Sequence, residues 1–103
     1  APSNSVSVWA AVAANGTISA QQGITSVVNN QQGYYTVTVS KAAPSASSLV
    51  PIAMANLSAL PATPAAMRVV AVDQVTTSSF RVYIMSGTGV ATNSAFVVMV
   101  TGN

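Results

Sequence analysis

The chain has no histidine, no cysteine and no glutamate, and only four charged side chains in 103 residues. Lys41, Arg68 and Arg81 are the cations; Asp73 is the one acidic side chain. These absences remove most of the tools of enzyme chemistry. General acid–base catalysis draws chiefly on His, Asp or Glu, Lys, Tyr and Cys tuned by neighbours. A Ser–His–Asp or Cys–His nucleophile has no base here. Two-carboxylate glycoside hydrolysis cannot be assembled from one Asp. The expectation is a non-catalytic chain with a structural or binding role.

Other absences narrow the class further. Without His or Cys, a zinc or copper site is not expected, and no metal or cofactor is called. Without Cys there is no disulfide framework. Three scattered cations do not make a phosphate-binding patch, so no nucleic acid partner is expected. Mean hydropathy is high, at +0.53. Yet no window of 18 residues is free of polar side chains and prolines, so no spanning helix and no membrane insertion are expected. High apolar content with little charge fits burial between subunits, because obligate interfaces are large and apolar.

What is present is half apolar, mostly Ala and Val, with Ser, Thr, Asn, Gln and Gly supplying most of the rest. Val and Thr suit pleated surfaces, while Ser, Asn and Gly suit turns. The length fits a single domain over residues 1–103. Residues 6–14 read as a first strand with two largely apolar faces, which suits a strand covered on both sides. Asn15-Gly16 is a strong hairpin signal. Residues 17–20 return as a second strand, broken by Gln21-Gln22-Gly23, and residues 24–28 form a third. The run Asn29-Asn30-Gln31-Gln32-Gly33 reads as a polar turn. In residues 34–40, Tyr35, Val37 and Val39 share one face while Tyr34, Thr36, Thr38 and Ser40 share the other.

Residues 49–56 are a fifth strand, which Pro51 demotes to an edge or a bulge. Residues 67–75 are a sixth. In residues 80–85, Phe80, Val82 and Ile84 oppose Arg81, Tyr83 and Met85. After the Gly-rich loop 86–93, residues 95–101 close the chain. Seven or eight short strands at this spacing predict an all-β fold, an antiparallel β-sandwich or barrel. Met54, Met67, Met85 and Met99 read as core gap-fillers. Asn15-Gly16-Thr17 and Asn56-Leu57-Ser58 match the glycosylation sequon, a pattern that arises readily by chance in so Asn/Ser/Thr-rich a chain.

The order of these motifs has a counterpart. Trp9-Ala10-Ala11-Val12 leads into Asn15-Gly16-Thr17, then Ile24-Thr25-Ser26-Val27, then Gly33-Tyr34-Tyr35-Thr36-Val37. Later come Thr77-Ser78-Ser79-Phe80-Arg81-Val82 and Ser94-Ala95-Phe96-Val97-Val98-Met99-Val100. Over about residues 8–102 this resembles a small domain at the C-terminal end of bacteriophage tail fibres and related virion proteins. The resemblance implies an antiparallel β-sandwich that forms a homotrimer, side by side or intertwined, about the fibre axis. Residues 1–5 would then be an extended leader from an upstream shaft. The domain would sit near the host-facing tip of the virion. It would contact a bacterial surface polysaccharide or outer-surface protein, besides other virion proteins. The chain departs from the pattern at Asn29-Asn30-Gln31-Gln32 and Asn93-Ser94, where acidic residues are common, and at Ser48-Leu49, where an aromatic is common. A secreted lectin-like module and a purely architectural capsid or fibre domain are the alternatives.

Two residue sets follow. Asn29, Asn30, Gln31, Gln32 and Tyr34, with Thr88 and Asn93 from the later loop, are candidates for receptor or glycan contact, since amides beside an aromatic suit sugar recognition. Trp9, Tyr35, Arg81 and Asp73 are core or subunit-interface candidates; Asp73 can pair with Arg81 or with Arg68 but fully serve only one, and a buried, unpaired Arg is costly.

Overall fold

The computed structural model describes residues 8–42, 45, 47, 49–55 and 67–101. Among the described residues there are eight strands: β1 (Val8–Val12), β2 (Ile18–Gln22), β3 (Ile24–Gln31), β4 (Tyr34–Val39), β5 (Val50–Ala55), β6 (Arg68–Asp73), β7 (Ser79–Ser86) and β8 (Phe96–Thr101). They form two four-stranded antiparallel sheets, ordered β2-β1-β8-β5 and β3-β4-β7-β6. The two sheets enclose one apolar core, an arrangement compatible with a β-sandwich.

Period-two alternation builds that core. Val8, Ala10 and Val12 from β1 and Phe96, Val98 and Val100 from β8 face Tyr35, Val37 and Val39 from β4 and Phe80, Val82 and Ile84 from β7. Tyr35 and Phe96 pack ring to ring with centroids 4.7 Å apart. The Tyr35 hydroxyl, buried at the core's edge, donates to the Ala14 carbonyl and accepts from the Ser94 amide. One side chain thus joins the β1–β2 turn to the segment entering β8. Pro51 lies in β5, an outer strand of its sheet, where a missing N–H is tolerated.

Several expectations change. The first strand is covered on one side only, because Trp9 lies on the outer face at 38% exposure rather than in the core. The methionines do not fill the core: Met54, Met67 and Met99 are exposed, and Met85 points outward from β7. The run from Asn29 is not all turn. β3 continues through Gln31, leaving only Gln32-Gly33 at the bend. As an outer strand, β3 needs no apolar alternation on its solvent side, so amide residues extend it. Likewise β2 runs through Gln22 and is broken only at Gly23. The leader at residues 1–5, Ser48 and the sequon at Asn56 lie outside the described residues.

Between β2 and β3 the chain passes from one sheet to the other at a single residue. Gly23 alone separates β2 from β3, with φ at 79°. That left-handed backbone suits glycine, and a Cβ there would approach Val8 to 3.0 Å. The Gln21 side chain accepts from the Ile24 amide and the Gly23 carbonyl accepts from the Ser40 amide, so the corner's backbone is paired.

Candidate functional site

The outward face of the β3-β4-β7-β6 sheet gathers the chemically active side chains. On β4 the outward residues are Tyr34, Thr36 and Thr38; on β7 they are Arg81, Tyr83 and Met85. Register places Tyr34 opposite Tyr83 and Thr36 opposite Arg81, with Ala71 and Asp73 of β6 beyond them. Opposed residues on one face of an antiparallel pair lie close enough to interact directly.

The result is a small platform. The Tyr34 and Tyr83 rings have centroids 4.5 Å apart and are tilted by 31°. The Arg81 guanidinium lies 5.0 Å from the Tyr34 ring centre, within cation–π range. Arg81 Nε donates to Asp73 Oδ1 at 2.8 Å and Nη2 donates to Oδ2 at 2.7 Å, a bidentate pair within the chain. Arg68 is not in this pair; its Nη1 donates to the Met67 carbonyl. Thr36 Oγ1 donates to the Asn30 side-chain oxygen at the platform's rim.

Electrostatics follow from these contacts. The hydrogen bond from Arg81 holds the Asp73 carboxyl below its ordinary range, and Asp73 raises Arg81 in turn. Interaction with the Tyr34 hydroxyl, ahead of burial, pushes the Tyr83 phenol up. Burial raises the Tyr35 phenol, against the opposing hydrogen bond with the Ser94 backbone.

The expected contact residues divide. Asn29 and Asn93 are engaged with each other: Asn93 Nδ2 donates to Asn29 Oδ1 at 3.2 Å, and Asn93 Oδ1 accepts from the Gly33 amide at 2.7 Å. Asn29 Nδ2 also donates to the carbonyls of Gln31 and Tyr34. These two amides clamp the β3–β4 turn to the segment before β8. Gly33 makes the closeness possible. Its φ is 82°, and a Cβ would lie 2.5 Å from the Ile84 carbonyl oxygen. Asn30, Gln31 and Gln32 are exposed beside the platform, with Gln31 opposite Tyr34. Thr88 is exposed too, but its hydroxyl pairs with Ser86 in the turn after β7, and no contact joins it to the others.

Tyr83 and Thr36 are the members that sequence reading missed as site residues. Their outward orientation was legible from alternation; their partners were not, because register between strands is not written locally. The platform offers aromatic faces, hydroxyls, amides and a guanidinium already neutralised by a carboxylate. Such a surface suits stacking and hydrogen bonding. Among the described residues no group of three His, Cys, Asp or Glu side chains can hold a metal ion. No helix among them is long and apolar enough to cross a membrane. A scan of the chain against protein-family models finds no match, and searches of curated proteins and of solved structures find none either.

Proposed function

We propose that this chain is a virion structural domain, the tip of a phage tail fibre or tailspike, which works as a homotrimer and contacts the bacterial surface without catalysis. Its target is a surface polysaccharide, held by the Tyr34–Tyr83 platform. The observation that carries this reading is the half-buried Tyr34–Tyr83 ring pair on the outward side of the sheet, edged by Arg81, Thr36, Asn30 and Gln31. A pyranose presents an apolar face of C–H groups to an aromatic ring and hydroxyls to the polar rim. Neutral amides and a paired guanidinium can bond those hydroxyls without requiring a charged sugar. Binding at one such platform is weak, and several copies on one particle raise it by effective concentration. The motif order from Trp9 to Val100 supports the virion setting.

The test is binding of the purified domain to a panel of bacterial cells and extracted polysaccharides. The wild-type domain should bind some members, and Tyr34→Ala/Tyr83→Ala should lose that binding while keeping its circular dichroism spectrum. A wild-type domain that binds nothing across a broad panel would favour a purely architectural role. A folded double variant that binds normally would move the contact elsewhere.

A further inference from the structure

The opposite sheet has a different outer face. On β1 the outward residues are Trp9 and Ala11; on β8 they are Val97, Met99 and Thr101; on β5 they are Val50, Ile52 and Met54. Register aligns Gln22, Trp9, Met99 and Ile52 across all four strands, and Ala20, Ala11, Val97 and Met54 in the next row. Trp9, Val50, Ile52, Met54 and Met99 are all large apolar side chains with 38–60% of their surface exposed. None of the four strands of this sheet contains a charged residue.

We infer that this face is a contact surface between copies of this chain, with the β2-β1-β8-β5 sheets of neighbouring subunits turned towards one shared apolar centre. The strand sequences carry the first argument. β1 reads Val-Trp-Ala-Ala-Val and β8 begins Phe-Val-Val-Met-Val, near-continuous apolar runs of the kind found in strands buried on both faces. β4, whose outer side meets solvent, instead alternates Val with Thr.

Charge carries the second. A second copy brings an equally neutral surface, so the two mate without burying an unpaired ion. An anionic lipid surface would call for flanking cations. Arg68 and Arg81 lie on the other sheet, and Lys41 follows β4.

Area carries the third. Four strands at ~4.8 Å spacing and six residues at ~3.3 Å rise span about 19 by 20 Å. With side-chain relief, two such faces bury about 1,000 Å² in total, the lower bound of a specific interface. The pairing is therefore concentration-dependent for the isolated domain and strengthened when a fibre holds the copies together. The inference deepens the trimeric part of the proposal above and relies on it only for the number of copies.

Light scattering and sedimentation on the purified domain over a wide concentration range test it. The wild-type mass should rise from 10.3 kDa towards a multiple of it, three-fold for a trimer. Met99→Lys should hold the mass at 10.3 kDa with an unchanged circular dichroism spectrum. Met54→Lys, on an outer strand and more exposed, provides the same reading if Met99→Lys fails to fold. Val28→Lys, exposed on the other sheet, should associate like the wild type. A wild type that stays monomeric throughout, or folded Lys variants at both positions that associate normally, would overturn the inference. No cell or glycan enters this assay, so its failure and that of the polysaccharide reading are separate results.

Discussion

The two outer faces of this molecule are made by the same device and come out chemically different. Both arise from strands that turn alternate side chains away from a shared core. On β3-β4-β7-β6 the outward residues include threonines, two tyrosines and the Arg81–Asp73 pair. On β2-β1-β8-β5 they are Trp9, Met99, Ile52, Met54, Val50 and their small neighbours. Inward residues are alike on both sheets, so the core sets the fold and leaves each outer face free to specialise. One face has tyrosines, threonines and an ion pair at its centre, beside exposed Val28 and Val69; the other is apolar across β1, β8 and β5. A chain with four charges can afford this division because all four lie off the apolar sheet.

The contrast fails most completely if the shared core fails. Phe96→Ala removes a fully buried ring packed on Tyr35 and supports neither face thereafter. Its expected cost is about 3–5 kcal/mol, read from denaturant unfolding followed by fluorescence. Trp9→Ala sharpens the contrast, because the same residue class sits outside. In the monomer its cost should be smaller, about 1–3 kcal/mol, since over a third of the residue's surface stays in water in the folded state. A monomer loss as large as that of Phe96→Ala would mean that Trp9 is a core residue after all.

The smallest effect belongs to the polar face. Asp73 has its carboxyl pKa lowered by Arg81, so its contribution to stability is present above its unfolded pKa of about 3.9 and fades as pH falls through the lower folded value. Asp73→Asn should therefore flatten the stability profile in acid below about pH 4, where this chain has no other acidic side chain to titrate. The pair is exposed, so added salt should shrink the difference. Thermal unfolding at a series of pH values, at low and high salt, measures both.

All eight strands lay close to where alternation and turn residues put them, including the outer-strand position of Pro51. Where the reading missed, the reason was what lies beyond the strand. Asn29, Asn30 and Gln31 look like a turn but extend an outer strand, whose solvent side tolerates amides. Two apolar faces on β1 suggested cover on both sides, and within the chain only one side has it. Methionine signals an apolar place without saying whether that place is inside the chain or on its surface. Of the contact candidates, Tyr34 packs against Tyr83 and Thr88 bonds Ser86 in a separate turn, while Asn29 and Asn93 bond each other.

Strand by strand, the residues alone determined which side chains share a face, because a period of two is a local property of extended backbone. They also determined what chemistry is absent, since composition does not depend on folding. The partners across strands were decided only in three dimensions. Tyr34 meets Tyr83, Asn29 meets Asn93, and Trp9 lines up with Met99 and Ile52 across long stretches of chain. Those meetings depend on sheet order and register, which are selected by packing both sheets into one core. No short stretch of sequence contains that information.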